Sequence, residues 1–351
     1  MKQRPLRVAQ WGTGNVGLYA LRSIIEDPKF ELVGVRVYSD EKVGRDAGEL
    51  CGLPPVGVTA TQDPEAILAA RPDCVVYMPE RAEFDVLARL LAAGINVATS
   101  RMEFNGRERI EPAVRRQLEQ ACATGGASLY ASGSTPGWFT EVMPLVLSAL
   151  ERRFDCLTIT DYADMESRNS PQMLFEVLPF GSYPEAIDAN APVGTATSTP
   201  PSLSMTAAAL GLPLDELVTA REFALTRQRT EIAAGTLEPG TIGAMRMEIT
   251  GLHRGKPILR RRSIWYVTRD VEPAWDLRDT GIHYRVDGDL PLEVMFTIPV
   301  AEQDYPKVSP ALTANPVLNA VPYVCAAPPG LLQTDELPLI VGRFGAHATG
   351  D

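Results

Sequence analysis

Three glycines near the amino terminus, Gly12, Gly14 and Gly17, constrain the fold of this chain more strongly than any other feature. They follow a short apolar run, Leu6 to Trp11, and precede a segment whose apolar residues recur at helical spacing. Between a strand and a helix, this G-x-G-x-x-G pattern is typical of a dinucleotide-binding turn, with phosphates held by free N–H groups at the helix start. The pattern predicts a dinucleotide site formed by Gly12, Thr13, Gly14, Asn15, Val16 and Gly17. The alternative is a glycine-rich turn with no ligand.

The rest of the chain divides into two patterns. Up to about residue 150, continuous apolar strands alternate with helices, which is typical of a parallel sheet covered on both faces. From Arg152 onward, successive alternating strands with turns between them indicate a second α+β domain on a mixed or antiparallel sheet. We therefore predict an α/β protein with an N-terminal Rossmann domain, a doubly wound parallel sheet. The predicted segments are a dinucleotide-binding domain (1–150), a substrate and dimerisation domain (151–308), a helix returning to the Rossmann domain (309–342) and a tail (343–351).

The end of the second strand bears on which dinucleotide binds. An acidic residue there suits the ribose hydroxyls of NAD, whereas this chain has Ser39, followed by Lys42 within reach of a phosphate. The residues favour NADP slightly over NAD, although residues 40–42 are equally well explained as a solvated turn. Ligands in such sheets bind beyond the carboxyl ends of the strands, so further cofactor contacts are expected there. These are Met78, Pro79, Ser100 and Pro136.

A carboxylate follows the strand Ile95 to Thr99, at the same predicted sheet edge. Glu103 lies between Met102 and Phe104, which would partly shield it from water and suit it to proton transfer. We predict that Glu103 is catalytic; the alternative is a surface glutamate before the next helix. Apolar residues near the domain junction are candidates for the substrate pocket, with ordinary core or hinge roles as the alternative. They are Trp138, Phe139, Tyr162, Asn169 and Met173.

Composition excludes several classes of function. The net charge is −11, so no global field attracts nucleic acid or an anionic membrane, and the basic run at 260–262 is predicted to be a solvated strand face. Five scattered cysteines without a C-x-x-C pair indicate reduced thiols in a cytoplasmic protein. Three isolated histidines suggest no metal site. No apolar run reaches the ~18 residues that a membrane span needs.

Together these residues resemble the dihydrodipicolinate reductase-like superfamily, and more closely its branch of 2,4-diaminopentanoate dehydrogenases and native amine dehydrogenases. The matching stretches are 10–17, 31–34, 42–49, 73–79, 133–139 and 326–330. The resemblance implies an NAD(P) cofactor, a homodimer, and interconversion of an amine with a ketone or aldehyde plus ammonia, with Glu103 in the position of the family's carboxylate. The His-x-x-x-Lys motif of true dihydrodipicolinate reductases is absent. Thr135 and Trp138 stand where the amine dehydrogenase branch commonly has Asn and Phe.

We therefore expect an NAD(P)-dependent amine dehydrogenase that acts on a small, mostly apolar amine or ketone. Its partners would be that small molecule and ammonia, with no nucleic acid and no membrane. The first alternative is an NAD(P)H-dependent reductase of a C=N or C=O bond that does not use free ammonia. The second is a dinucleotide-binding sensor without catalysis.

Overall fold

The computed structural model describes residues 4–187, 199–301 and 304–342, with side chains from 203 onward in the helix that begins at 199. Contacts divide the chain into two compact units. The first unit comprises Met1–Trp138 and Asp304–Asp351, and the second comprises Phe139–Gln303. The tail predicted at 343–351 lies outside the described residues.

The first unit is built on a seven-stranded parallel sheet. Its strands are β1 (Leu6–Trp11), β2 (Phe30–Arg36), β3 (Ala60–Thr61), β4 (Cys74–Tyr77), β5 (Asn96–Thr99), β6 (Ser128–Ala131) and β16 (Gly330–Leu332). Their order across the sheet is β16-β6-β5-β4-β1-β2-β3. Chain order changes direction between β1 and β4, the position at which such sheets bind ligands. The predicted Rossmann fold is confirmed.

Helices cover both faces of this sheet, because its parallel strands are apolar on both sides. They are α1 (Asn15–Glu26), α2 (Ala47–Leu50), α3 (Pro64–Ala70), α4 (Phe84–Ala92), α5 (Pro112–Gly125) and α8 (Tyr305–Ala326). One core joins Leu87 and Leu118 to one face of the sheet, and a second core joins Ile24 and Val321 to the other. The central strand β4 is buried at all four positions, so the loops at its end rest on a rigid support.

The second unit contains a seven-stranded mixed sheet. The strands are β7 (Phe154–Asp164), β8 (Glu216–Thr226), β11 (Ile242–His253), β12 (Lys256–Tyr266), β13 (Val271–Glu272), β14 (Gly281–Gly288) and β15 (Leu292–Phe296). Their order is β13-β8-β11-β12-β7-β14-β15, in which the β12–β7 pair is parallel and the other pairs are antiparallel. A hairpin of β9 (Thr230–Ile232) and β10 (Gly235–Leu237) and the helices α6 (Met143–Ser148) and α7 (Thr199–Ala209) complete the unit. The predicted mixed α+β architecture is confirmed.

One local expectation was wrong, and one strand was missed. The basic run is not a uniformly solvated face, since Arg260 and Arg262 pair with Glu248 while Arg261, on the opposite face of β12, is only 7% exposed. Strand β16 was not expected at all, yet it pairs with β6 and extends the parallel sheet. Pairing with an existing edge, rather than local propensity, makes this short segment a strand.

Two features are absent from the described ranges. No helix there is both long and apolar enough to cross a membrane. Within the same ranges, no group of three or more His, Cys, Asp or Glu side chains could hold a metal ion.

Candidate functional site

Two of the three fingerprint glycines are required by the backbone itself. Gly12 has a φ of +92°, and a Cβ there would lie 2.6 Å from the carbonyl oxygen of Met78. A Cβ at Gly17 would lie 2.2 Å from the carbonyl oxygen of Gly12. Both positions therefore need glycine to bring β1, the turn and α1 together, as the sequence predicts.

Gly14 is different, because nothing in the described structure requires a glycine there. Its φ of −72° suits any residue, and a Cβ added at this position would meet no atom within 4 Å. It is the N-cap of α1, with no side-chain cap and no acidic residue in the first turn. Gly14 therefore borders open space at the positive end of α1. In a dinucleotide-binding turn, the pyrophosphate lies close to the backbone at this position. The turn fits such a group.

Lys42 reaches the glycine turn from the loop after β2. Its Nζ donates to the carbonyl oxygen of Thr13 at 3.0 Å, and it forms no ion pair within the described ranges. Ser39 precedes the 3₁₀ turn Asp40–Lys42, and its side chain makes no capping hydrogen bond. The structure therefore brings Lys42 to the glycine turn and places Ser39 at the start of the same loop. A lysine beside this turn suits an anionic ligand.

The loop after β4 connects the glycine turn to the loop after β5. Gly12 packs against the backbone of Met78 and Pro79. The guanidinium of Arg101 donates to the carbonyl oxygen of Glu80 at 2.6 Å and to that of Pro79 at 3.4 Å. These contacts form a continuous edge at the carboxyl ends of β1, β4 and β5, where the fold class binds ligands.

Glu103 lies on that edge, in the 3₁₀ turn Met102–Phe104. Phe104 is buried at 3% exposure against Phe84, which anchors the turn. Arg101 pairs with both carboxylate oxygens of Glu103, with 3.1 Å between Nε and Oε2. The Glu103 side chain is 36% exposed. A carboxylate has about four acceptor positions, so oxygen lone pairs remain for a ligand beside the bound arginine.

The remaining residues predicted in the first unit lie on neighbouring loops. Ser100 follows β5 directly, and Trp138 follows the turn after β6. In that turn Thr135, Pro136 and Gly137 are not helical, so helical backbone begins only at Trp138. The hydroxyl of Ser134 contacts that of Thr313 in α8 at 3.2 Å, which ties the turn to the helix.

Within the second unit, the structure separates two of the predicted pocket residues. Tyr162 is in register with Ile264 on β12, and its side chain lies on one face of the sheet. Met173 packs in the cluster on the opposite face, which includes Trp265. Phe139 is buried against Phe296, with ring centroids 5.0 Å apart. Asn169 is exposed. Because Tyr162 and Met173 lie on opposite faces of the sheet, the sheet does not bring them into a common pocket.

Sequence reasoning missed a charged cluster at the ends of β1 and β2. The Arg36 guanidinium lies 4.6 Å from the rings of both Trp11 and Tyr38, and it donates to Glu83 at 3.0 Å. The Tyr38 hydroxyl accepts from the Trp11 indole at 3.0 Å and donates to Glu83. Burial, together with the bond to Glu83, raises the pKa of Tyr38 to about 12. The sequence pattern predicts a strand that runs to Tyr38, whereas β2 ends at Arg36. Because the predicted strand is two residues too long, Arg36 could not be identified from the sequence as the last residue of the strand.

Arg101 was missed as well, although a signal was available. An arginine two residues before a predicted catalytic glutamate, in a turn, is close enough to pair with it.

Comparison with known proteins adds independent findings. Residues 6–120 match the family model of the dihydrodipicolinate reductase N-terminus, and residues 185–349 match the 2,4-diaminopentanoate dehydrogenase C-terminal domain. An amine dehydrogenase from Streptomyces virginiae is 31% identical, over 95% of this chain and 97% of the relative. The structure of an amine dehydrogenase from Mycobacterium smegmatis matches with a TM-score of 0.68 and 21% identity, over 96% of this chain and 97% of its own. A protein of gentamicin A biosynthesis, solved in complex with NAD, matches with a TM-score of 0.51 and 14% identity, over 93% and 94% of the two chains.

Proposed function

This chain belongs to the amine dehydrogenase family, within the dihydrodipicolinate reductase-like superfamily, and from that premise we propose that it interconverts a small amine with a ketone or aldehyde plus ammonia. It is an NAD(P)-dependent oxidoreductase. One observation supports the proposal above all: Glu103 is fixed by Arg101, which also binds the loop that packs on the glycine turn. A carboxylate for the amine and a turn for the dinucleotide thus share one edge of one sheet.

The chain's own residues would hold the coenzyme at its phosphates. The free N–H groups at Gly14 and the start of α1 would bind the pyrophosphate, with Lys42 adding a positive charge. Met78, Pro79, Ser100 and Pro136 remain proposed contacts on the neighbouring loops. The bound coenzyme supplies the hydride chemistry. The last residue of β2 is an arginine rather than a carboxylate, and together with the cation on Lys42 this favours NADP.

Glu103 would bind the nitrogen of the substrate. Its carboxylate can accept hydrogen bonds from an ammonium or iminium group, and it can take a proton from ammonia that attacks a carbonyl carbon. It can then return that proton as water leaves the carbinolamine. In the direction of deamination, Glu103 takes a proton from the amine and directs water to the imine. The Arg101 contacts keep the carboxylate in one orientation, which such proton transfers need.

Dependence on ammonium tests this function. We expect oxidation of NADPH or NADH with small ketones only when ammonium is present, and reduction of the oxidised coenzyme with the matching amines. Turnover that continues at the same rate without ammonium would instead support a C=N or C=O reductase. Coenzyme binding without turnover of any ketone or amine would support the sensor. Trp138, Phe139 and Asn169 remain proposed pocket residues, together with either Tyr162 or Met173, which lie on opposite faces of the sheet and do not line one pocket. Substrate range tests them.

We also propose a cytoplasmic homodimer. One face of the second unit's sheet carries the pairs Glu222–Arg246 and Glu248–Arg262, and exposes Val218 at 43%. A face with both signs of charge and some apolar surface can match its own copy around a twofold axis. Light scattering of the purified protein should give the mass of two chains, and the mass of one chain would contradict this part.

A further inference from the structure

Two of the five cysteines, Cys74 and Cys325, lie on the same face of the parallel sheet, although they are far apart in the sequence. Cys74 is the first residue of β4, and its side chain belongs to the core between this sheet and α8. Cys325 lies in the last turn of α8, on the helix face that carries Val321 into the same core. Neither thiol takes part in the chemistry described above.

The two thiols are free and in contact with each other. The sulfur of Cys325 lies 3.7 Å from the carbonyl oxygen of Asp73, the residue before Cys74. The Cys74 thiol is within hydrogen-bonding range of the Cys325 sulfur. Burial raises the pKa of Cys74 well above its ordinary value, and the neighbouring Cys325 raises it further. Cys74 therefore keeps its proton at neutral pH and is not the thiol that reacts first.

Cys325 differs from Cys74 in its access to solvent. Cys74 is fully buried, whereas Cys325 is half-buried and lines a cavity of about 1030 Å³. Leu6 and Asn96, the first residues of β1 and β5, line the same cavity, so it lies at the amino ends of the strands. The glycine turn lies at the opposite edge of the sheet. A small neutral oxidant can therefore reach Cys325 without entering the proposed coenzyme site.

We propose that this pair is a peroxide-sensitive modification site, at which Cys325 is oxidised first and Cys74 then forms a disulfide with it. Hydrogen peroxide transfers one oxygen to the Cys325 sulfur, which gives a sulfenic acid and one water. The Cys74 sulfur then displaces the hydroxyl group and forms the S–S bond, and the Cys74 proton leaves with that hydroxyl as a second water. Two thiols thus lose two electrons, and one peroxide is reduced to two waters.

The position of Cys74 determines the product of this oxidation. A sulfenic acid on Cys325 would have a thiol beside it, so it should condense to a disulfide, which thiol reductants reverse, before it reaches the irreversible sulfinic acid. Cys51 offers a comparison, because it is also half-buried, but its sulfur donates to the carbonyl oxygens of Ala47 and Gly48 in its own helix. The disulfide would attach the end of α8 to the central strand β4. The proposal goes beyond the dehydrogenase function and does not depend on it.

The test treats the full chain with hydrogen peroxide, cleaves it after glutamate without reduction, and maps the products by mass spectrometry. Glu65 lies between Cys51 and Cys74, so these two cysteines fall in different peptides. We expect a pair of peptides joined through Cys74 and Cys325, lighter by two hydrogen atoms than the separate peptides and lost after treatment with dithiothreitol. The matched control, Cys51→Ser, should still give this joined pair.

Dimedone, which traps sulfenic acids, tests the order of the two steps. In Cys74→Ala, peroxide should leave a dimedone adduct on Cys325, and in the parent protein that adduct should be lost to the disulfide. Cys325→Ser changes a half-buried position, which keeps the proposal testable if the core substitution disturbs folding, and it should leave Cys74 unmodified.

Three results would overturn the proposal. They are sulfinic acid on Cys325 of the parent protein without the joined peptides, a disulfide between two chains in place of the internal one, and no reaction of Cys325 in either protein. These measurements do not involve turnover or coenzyme, so failure of the amine dehydrogenase function is distinguished from failure of this inference.

Discussion

Replacing Gly14 with alanine separates a ligand-binding role from a structural one. The backbone at Gly14 has φ −72° and ψ −173°, which alanine adopts without strain, and the added methyl group would meet no atom within 4 Å. The gain from a stiffer unfolded chain, about 0.4–1 kcal/mol, is offset by the poorer N-cap. The folded protein should therefore keep its stability to within about 0.5 kcal/mol.

Coenzyme affinity should respond quite differently. The methyl group would occupy the open space beside the first N–H groups of α1, where the pyrophosphate is expected. Loss of one hydrogen bond to a charged group costs about 1.5–3 kcal/mol, which corresponds to about 10- to 150-fold weaker binding. Fluorescence titration with NADPH and NADH measures the affinity, and thermal unfolding measures the stability.

The matched control is Gly17→Ala, in which the new Cβ would lie 2.2 Å from the Gly12 carbonyl oxygen. That variant must shift the helix or the turn, and should lose about 1–3 kcal/mol of stability. If Gly14→Ala binds both coenzymes as tightly as the parent protein, the turn does not hold a pyrophosphate, and the proposed coenzyme site is refuted.

Three further predictions address the reaction, a helix cap and a buried hydroxyl. Glu103→Gln should lower the turnover number by about two to four powers of ten without weakening NADPH binding. Glu108→Gln, at an exposed site nearby, should leave the turnover number unchanged. Equal effects of the two substitutions on turnover would refute the role of Glu103. Hydrogen bonds from the backbone N–H groups of Ala113 and Val114 hold the pKa of Glu111 below its usual range. Its contribution to stability is therefore present above about pH 4.3 and declines as pH falls through the lower folded-state pKa, so Glu111→Ala should lower the melting temperature most at pH 7 and progressively less as the pH falls below about 4.3. The buried Tyr284 hydroxyl donates to the Phe139 carbonyl oxygen at 2.8 Å, so Tyr284→Phe should cost about 1 kcal/mol in urea unfolding, and an unchanged midpoint would contradict this.

Much of the first unit could be predicted from local sequence. The glycine spacing determines a strand–turn–helix, because Gly12 and Gly17 are the residues that its close contacts allow. Apolar strands such as β4, buried at every position, indicate a parallel sheet with helices on both faces. Lys42 was also identified from its position after the second strand, and the structure brings it to Thr13.

Only the tertiary structure decided which charged groups meet. Arg36 and Glu83 are 47 residues apart along the chain, and they pair because parallel strands β2 and β4 flank β1 and end at the same edge. The face on which Tyr162 lies depends on the register of β7, and β16 is a strand because β6 offers it an edge. Sequence periodicity reports which residues are buried or exposed locally, whereas partners distant in the chain are fixed by sheet order and register. The sequence by itself therefore determined the dinucleotide turn and the fold class, and the tertiary structure decided the charge environment around them.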